Sequence, residues 1–450
     1  MVGSILDALR RIKADVAAHL KSDTIEQLCH EVGHRWRNRV LTPALTIHAF
    51  LLQVLHGNTA CEHVTRLMGR NFTGEAYCQA RARLPLQLFD RLLSAIGQAM
   101  SDCRDEAARW CGHRVWVLDG SGCSMPDEPE LQTAFGQPGG QAAGCGFPVA
   151  HLLVLFHVGT GMLQKLIVSP MRTHDMAKAC QMHSELAAGD VLLGDRGLCS
   201  FAHLAQLITA GFHGVFRVHH KIIVDFRIGR MHVPPSPPYP RLRHVKGLPH
   251  SCWVKWIGPC DQLVEYFKPK VRPRWMTAEA YAALPKSILV RELRYQIMQR
   301  GYRTRKVILV TTLLDAQLYP AKKLAELYFL RWRVEVDLRH LKQTLHMDVL
   351  RSKTLIGIHK ELRMIAIVYN LVRLVMLEAA KRQRVATERI SFIDALRWLA
   401  NAGLTSKLAL IVNRHRPARF EPRVCKRRPK EYRHMSWPRA ELRKMCWSND

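Results

Sequence analysis

The chain has 450 residues, of which 48% are hydrophobic; this excludes a disordered protein and predicts two or three domains with a large buried core. Lysine and arginine together number 67 against 37 aspartates and glutamates, which gives a formal net charge of +30. A surface this basic attracts polyanions, and the commonest large polyanion is nucleic acid; a charge that serves only solubility, or an anionic membrane, is the alternative.

The first part of the chain has apolar residues at three- and four-residue spacing and little strand pattern, which predicts a helical N-terminal domain over residues 1–105. Within it, a short capped helix ends before Pro85. The Gln79, Arg81 and Arg83 side chains of this helix could reach a DNA groove, or they could form an ordinary solvated helix face. We expect this domain to bind DNA.

Residues 106–219 change to short apolar strands that alternate with helices, the pattern of an α/β domain. The segment from Arg114 is predicted to be a strand, and the next apolar segment to be two strands joined by a Gly-Thr-Gly turn. A helix is predicted from Asp175 to Leu186, with Thr173 or Asp175 as its cap.

Residues 220–305 interrupt this alternation with a proline-rich segment, PPSPPYP, and with the strand-like pieces IIVDF, CWVKWI and LVEYF and a hairpin, so we predict a mostly β insertion. The α/β pattern returns over residues 306–385. Its most apolar stretch, Met364–Leu377, is interrupted by polar residues and predicts a core helix and not a membrane span. Residues 386–450 are predicted to hold one more helix and a basic tail, which contacts DNA or is simply solvated.

The thirteen cysteines form no CxxC pair and no Cys/His cluster with zinc-ligand spacing, so we expect reduced thiols in a reducing cytosol. The N-terminal segment lacks the apolar block of a signal peptide. These features predict a cytoplasmic protein without a membrane partner.

Two acidic residues follow buried strand patterns: Asp119 comes after VWVL, and Asp195 comes after LLG. The carboxyl ends of strands are where α/β sheets place functional groups. Acids that share such a site repel each other unless a cation neutralises them. A single strand-end acid is commonly a turn or cap residue, but two of them in a strongly basic protein suggest a metal-binding acidic centre.

A third candidate lies on the predicted helix AELYFLRWRVEVDLRHLKQTLHM, which covers residues 325–347. On a regular helix, an arc of about 60° holds four polar side chains, which are Tyr328, Arg331, Glu335 and Lys342. Apolar residues flank this polar strip on both sides. The alternative is a helix face that only carries i,i+4 ion pairs such as Arg331–Glu335.

The polar strip has the spacing Tyr-x2-Arg-x3-Glu-x6-Lys, which resembles the signature of the DDE transposases of the insertion sequence four family, relatives of the Tn-five and Tn-ten cut-and-paste enzymes. The context of Asp119, VLDGSG, resembles that of the family's first acid, and Asp195-Arg196-Gly197 resembles that of its second. The long gap from Asp195 to Glu335 suits the β insertion that this family carries.

The resemblance implies a ribonuclease-H-like catalytic core, formed by residues 106–219 and 306–385 and interrupted by the insertion. It implies a homodimer that binds the terminal inverted repeats of a transposon, cleaves double-stranded DNA at the element ends and joins the 3′ ends to target DNA. In a bacterial cell such a protein would associate with the nucleoid when it is bound to DNA.

The resemblance also implies catalysis with two Mg²⁺ ions, for which Mn²⁺ would substitute, because hard cations prefer carboxylate oxygens. Their ligands and the catalytic residues would be Asp119, Asp195 and Glu335. Arginine suits bidentate phosphate contacts and lysine acts as a point charge. The side chains implied to contact DNA are Tyr328, Arg331, Lys342 and Arg196.

At one position the chain departs from the family. In the Tn-five and Tn-ten relatives the insertion supports a DNA hairpin intermediate, and a flipped base stacks on a tryptophan at the start of the strand before the signature helix. Val307 stands at that place and has no ring for stacking. Either no base is flipped in that form, or another aromatic residue substitutes, or the aromatic residues simply pack the insertion's own core. The candidates are Trp253, Trp256, Trp275, Tyr295 and Tyr302.

Two other functions compete with transposition. A different nuclease or resolvase with the same core would lack the Tyr/Arg/Lys strip, which is present here. A catalytically inactive or domesticated DNA-binding protein derived from a transposase would be favoured by the loss of an acid, but all three acids remain.

Overall fold

The computed structural model describes residues 2–101, 109–234, 247–297, 306–403, 405–413 and 435–447. Within these residues helices cover both faces of one mixed β-sheet, since each face packs into its own hydrophobic cluster with helical residues. The predicted α/β class is therefore confirmed.

Among the described residues, seven helices precede the sheet, as the apolar spacing of the N-terminal region predicts. The fourth helix begins where Thr42 accepts a hydrogen bond from the backbone amide of Leu45 at 3.3 Å, with Pro43 in the first turn. Nearly all of this helix is buried, so it forms the centre of the helical layer. The helices are α1 (Val2–Ile12), α2 (Ala14–His19), α3 (Ser22–Glu31), α4 (Pro43–Leu55), α5 (Cys61–Met68), α6 (Gly74–Arg83) and α7 (Leu86–Ser101).

In the described part of the chain nine strands form the sheet, and three of them run parallel in its middle. The strands are β1 (Val115–Ser124), β2 (Val149–His157), β3 (Leu163–Pro170), β4 (Val191–Gly194), β5 (His213–Arg217), β6 (Cys252–Gly258), β7 (Asp261–Phe267), β8 (Ser287–Gln296) and β9 (Lys306–Thr311). Their order across the sheet is β3-β2-β1-β4-β5-β9-β8-β7-β6. β1, β4 and β5 are parallel and every other pair is antiparallel, so the carboxyl ends of these three strands meet at one edge.

The later helices include one that dominates the core. This helix, α14 (Leu355–Gln383), is buried over most of its length and packs against α4 and α7 of the N-terminal layer. The predicted core helix over residues 364–377 is therefore confirmed. No helix among the described residues is long and apolar enough to cross a membrane. The helices are α8 (Pro129–Phe135), α9 (Met176–Ala179), α10 (Phe201–Thr209), α11 (Ala278–Ala283), α12 (Ala321–Leu330), α13 (Arg333–Arg339), α14 (Leu355–Gln383), α15 (Phe392–Asn401) and α16 (Arg439–Trp447).

The described part of the β insertion extends the central sheet. β8 and β9 form the predicted hairpin, whose connecting residues 298–305 lie outside the described residues. Val264 and Ile288 of the insertion share a hydrophobic cluster with Trp116 of β1 and Leu204 of α10. The described insertion strands therefore pack into a cluster that they share with the rest of the sheet, because they pair onward from β9.

One local prediction about secondary structure is wrong. Residues 222–226, IIVDF, form no strand, because side chains bind their backbone: the Asp225 carbonyl oxygen accepts from Arg230 at 2.7 Å and from Gln262 at 2.9 Å. The helix predicted from Asp175 to Leu186 is present as α9 followed by a 3₁₀ helix over Cys180–Glu185, and the Asp175 side chain does not cap it.

Parts of the predicted proline-rich segment and basic tail cannot be compared. Residues 235–240 of PPSPPYP and residues 414–434 of the tail lie outside the described residues. α15 corresponds to the predicted helix near residues 388–403, and α16 forms within the last part of the chain.

Candidate active site

Asp119 lies on β1, and Asp195 directly follows the neighbouring parallel strand β4. β1 pairs with β4 up to Val117 opposite Leu193, and the same register continued by two residues sets Asp119 opposite Asp195. Contrary to expectation β1 does not end at Asp119, because antiparallel pairing with β2 carries it on to Ser124. The site therefore forms where pairing with β4 stops.

The two aspartates have different surroundings. Burial raises the pKa of Asp119 to about 6; Arg331 and the Gly120 amide oppose this shift, and the charges of Asp195 and Asp175 add to it. Asp195 accepts a hydrogen bond from the Gly197 amide at 2.8 Å, which caps the turn over Arg196–Leu198. A cation beside Asp119 would relieve the repulsion between these carboxylates.

The predicted 60° arc of polar side chains assumed one regular helix. The signature residues lie instead on a helix that is interrupted. α12 ends at Leu330 and α13 begins at Arg333; backbone bonds at the junction run from residue i to i−3, including Val334 N to Arg331 O at 3.1 Å. A π-helical turn over His340–Thr344 follows and carries Lys342. Such irregular turns are frequent at functional sites, where they redirect side chains.

Arg331 lies between two of the predicted metal ligands. Its guanidinium nitrogens are 3.9 Å from Asp119 Oδ2 and 3.7 Å from Glu335 Oε1. The Arg331 side chain is only 11% exposed, whereas that of Glu335 is 63% exposed. Both carboxylates thus face the same guanidinium group, with the glutamate on the solvent side.

Tyr328 is buried, and its hydroxyl donates to the backbone carbonyl of Gly194 at 3.2 Å. This bond fixes α12 to the end of β4, one residue before Asp195. The hydroxyl therefore has a partner inside the protein, and contact of Tyr328 with a phosphate stays a prediction.

The remaining predicted DNA contacts lie on either side of the acids. Arg196 is exposed on the turn that Asp195 caps. Lys342 lies near the far end of β1, close to Cys123. Burial raises the pKa of the Cys123 thiol to about 12, and the charge of Lys342 opposes that shift.

Sequence reasoning missed several residues at this edge of the sheet. Arg217 ends β5; burial and the charges of Arg196 and Arg331 lower its pKa, and Tyr328 opposes this shift. Its position within the strand pattern GVFRVH was the available signal. Asp175 was taken for a helix cap, yet its Oδ1 lies 2.5 Å from His151 Nε2 on β2.

One aromatic residue of the insertion reaches the site. Tyr295 on β8 is paired in register with Val307 on β9, so it stands beside the position where the family has its tryptophan. Its hydroxyl is buried and has no hydrogen-bond partner among the described residues, and Tyr328, Arg217 and Arg331 lie close enough to affect its pKa.

The other candidate aromatic residues lie elsewhere. Trp256 is exposed on β6, Trp253 is half-buried on the same strand, and Trp275 packs against the shared cluster. Tyr302 is outside the described residues.

Within the described residues, no group of three or more His, Cys, Asp or Glu side chains stands in a geometry that could hold a metal ion. Arg331 lies between Asp119 and Glu335. The convergence of all three acids on metal ions stays a prediction.

Comparison with known proteins identifies the family. A family model for the transposase DDE domain matches residues 110–371. The chain belongs to the DDE transposase family. It is similar to the transposase InsG for insertion sequence element IS4 of Escherichia coli K12, with 24% identity over 383 residues that cover 79% of this chain and 77% of the relative. The resemblance predicted from the motif spacing is confirmed.

A piggyBac transposase, solved by cryo-EM as a synaptic complex with hairpin DNA, is a structural neighbour at a TM-score of 0.41 and 10% identity, covering 85% of this chain and 77% of that one. DDE transposases cut and join DNA and generally use divalent metal ions.

Proposed function

We propose that this DDE transposase binds the terminal inverted repeats of its element, cleaves DNA at the element ends and joins the 3′ ends to target DNA. The observation that carries the proposal is the junction of Asp119 and Asp195 at one edge of the parallel strands, with the signature residues of α12 and α13 against them. The five strands ordered β3-β2-β1-β4-β5, with β1, β4 and β5 parallel, support a ribonuclease-H-like core.

Asp119, Asp195 and Glu335 would hold two Mg²⁺ ions, or Mn²⁺ in their place. The residues fit such ions, because all three donors are carboxylates and the buried Asp119 is repelled by its acidic neighbours. Bound ions would activate the attacking water or 3′-hydroxyl and stabilise the leaving oxygen.

Arg331 would exchange its partners when DNA binds. A phosphate carries a full negative charge and accepts two parallel hydrogen bonds from arginine, so it competes with the 3.9 and 3.7 Å contacts to Asp119 and Glu335. Release of Arg331 to the scissile phosphate would free both carboxylates. Lys342, Arg196 and Arg217 would hold the flanking phosphates.

The alternative function is a DNA-binding protein without catalysis. The absence of a three-acid metal geometry among the described residues favours it, because Arg331 could remain a permanent substitute for the cations. Cleavage of DNA by the intact protein distinguishes the two proposed functions.

The experiment is cleavage of a labelled duplex that carries the terminal inverted repeat, with Mg²⁺, Mn²⁺ or a chelator. Alanine at Asp119, Asp195 or Glu335 is expected to lower the rate by roughly a thousandfold, the equivalent of several kcal/mol of charge stabilisation. End binding in gel shifts should persist, since it comes mainly from phosphate contacts elsewhere. The exposed Asp127→Ala is the matched control. Binding without cleavage by the unchanged protein would favour the alternative.

The same denaturing gels resolve a covalently closed hairpin. Because Tyr295 pairs with Val307, it would be the aromatic residue that stacks a flipped base; Tyr295→Ala should then remove a hairpin product, whereas Trp256→Ala, at an exposed residue, retains it. A homodimer that joins two ends is part of the proposal, as is DNA contact by the N-terminal helices and by the basic residues of the insertion.

A further inference from the structure

Two cysteines of the N-terminal helical layer lie side by side. Cys61 is the first residue of α5, Cys78 lies within α6, and their Sγ atoms are 3.5 Å apart. Of the ten cysteines in the described part of the chain, these are the two whose sulfurs contact each other. A disulfide needs its sulfurs about 2.05 Å apart, so an approach of roughly 1.5 Å would join them.

The packing of α5 against α6 sets the separation of the two thiols. The backbone amide of Gly74, at the start of α6, donates to Glu62 Oε2 on α5 at 3.1 Å. A Cβ on Gly74 would lie 3.0 Å from the Glu62 backbone nitrogen and 3.2 Å from the carbonyl carbon of Cys61. The two helices are therefore in close backbone contact, and the thiols stay neighbours in the folded protein.

A buried cation lies beside this pair of thiols. Arg81 on α6 turns inward, donates to Gln53 Oε1 at 2.8 Å and lies 4.4 Å over the Phe50 ring. The charge of Arg81 interacts with both Cys61 and Cys78. A guanidinium group near a sulfur favours the thiolate, which is the reactive form of cysteine. Arg81 thus has partners inside the protein, and its contact with DNA stays a prediction.

The two thiols differ in their access to solvent. Cys78 is exposed, so a reagent in solution reaches it, whereas Cys61 is half-buried. Burial raises the pKa of Cys61 to about 11, and the charge of Arg81 opposes this shift. A small disulfide should therefore react first with Cys78, and the neighbouring Cys61 is placed to attack the sulfur that Cys78 then carries.

We propose that Cys61 and Cys78 form a thiol-oxidation site that reacts with a low-molecular-weight disulfide and reversibly links α5 to α6. Glutathione disulfide is the representative of that class. Under reducing conditions both residues remain thiols, in agreement with the expectation from the sequence. The proposal does not depend on the proposed DNA chemistry.

The oxidation proceeds in two exchange steps. The Cys78 thiolate attacks one sulfur of glutathione disulfide, whose S–S bond breaks and releases one glutathione. Cys61 Sγ then attacks Cys78 Sγ, which breaks the mixed disulfide and releases the second glutathione. Two electrons pass from the protein thiols to glutathione disulfide, and the two thiol protons end on the two glutathione molecules.

The new bond would restrict the unfolded chain. The two cysteines are 17 residues apart in sequence, and a disulfide that closes such a loop lowers the entropy of the unfolded state. The oxidised protein should therefore melt roughly 1–3 °C higher than the reduced protein. Cys61→Ser and Cys78→Ser should show no such difference between oxidising and reducing buffers.

The test incubates the full-length protein at defined ratios of reduced to oxidised glutathione, alkylates the free thiols and maps the peptides by mass spectrometry without reduction. The unchanged protein should give a Cys61–Cys78 disulfide, and dithiothreitol should restore both thiols. Cys61→Ser should instead accumulate glutathione on Cys78, because the second thiol is missing. Cys145→Ser, which changes a half-buried cysteine elsewhere, should retain the Cys61–Cys78 bond.

Formation of the bond at a glutathione ratio that leaves Cys145 reduced supports the inference. Three results would overturn it: glutathione that persists on Cys78 in the unchanged protein, a Cys78 thiol that stays unmodified at every ratio, or a bond from Cys78 to a second molecule. Cleavage of DNA by the reduced protein tests the proposed function separately, so the two proposals can fail independently.

Discussion

At the scale of single residues, Arg331 dominates the electrostatics of the active site. It is nearly buried, its Nε has no hydrogen-bond partner among the described residues, and its other nitrogens face Asp119 and Glu335. A buried cation without full compensation is costly, as is a buried carboxylate. This arrangement agrees with the proposed ligands, which are metal ions for the acids and phosphate for the arginine.

Asp119 should reduce the stability of the metal-free protein at neutral and alkaline pH. Its pKa is raised to about 6 from a reference value of 3.8. Because the folded-state value is the higher one, stabilisation from this group is present below 3.8 and is lost as the pH rises through about 6. In a chelator, Asp119→Asn should raise the free energy of unfolding above neutral pH by on the order of 2 kcal/mol.

Denaturant unfolding at several pH values checks this expectation. The gain should shrink as the pH falls toward 3.8, and Asp127→Asn, which changes an exposed acid, should show no such trend. Added Mg²⁺ should stabilise the parent protein and not Asp119→Asn. A gain that is constant with pH would show that the charge of Asp119 is not its cause.

At the scale of the elements, the two glycines that follow Asp119 on β1 differ in the space around them. A Cβ on Gly120 would lie 2.7 Å from Asp175 Oδ1, the carboxylate that contacts His151. A Cβ on Gly122 would meet its nearest atoms, on Ala150 and Val149, at an ordinary 3.6 Å. The two positions in the same motif therefore have different steric requirements.

Gly120→Ala should destabilise the protein by about 1–3 kcal/mol and slow cleavage, because the added methyl group displaces either Asp175 or the strand that carries Asp119. Gly122→Ala is the matched control and should be close to neutral. The double variant Gly120→Ala/Asp175→Ala should recover much of the stability, since the clashing carboxylate is gone. Additive losses in the double-mutant cycle would contradict this account.

At the scale of the whole molecule, the insertion lies in the same sheet as the strands before it, and a buried arginine of the insertion bonds to the chain that follows it. Arg291 on β8 is 1% exposed, makes a two-bond contact with Asp261 on β7, and donates to the carbonyl oxygen of Tyr319 at 2.7 Å. Tyr319 lies just before Pro320, the N-cap of α12, so this arginine ties the insertion to the element that carries Tyr328.

Arg291→Met should lower the free energy of unfolding by about 3–5 kcal/mol, because it leaves the Asp261 carboxylate buried and unpaired. Arg227→Met is the control, since Arg227 binds Asp225 at the surface with 80% of its side chain exposed, and it should leave stability essentially unchanged. Urea unfolding followed by fluorescence and by circular dichroism should show one shared transition. Separate transitions for insertion and core would argue against a common folding unit.

The sequence by itself determined the family and the strands next to Asp119 and Asp195. These depend on short patterns: an apolar run that is followed by an acid, and polar residues at a set spacing. It also determined the helical N-terminal layer and the core helix α14, whose apolar residues repeat over many turns.

Only the tertiary structure decided how the signature side chains are aimed. The helical arc assumed regular geometry, but the break between Leu330 and Arg333 brings Arg331 onto Asp119 and leaves Glu335 toward solvent. It also decided that the insertion extends the central sheet, that Tyr295 stands opposite Val307, and that Arg81 turns inward. Strand pairing and side-chain burial join residues far apart in the chain, and no local pattern carries that information.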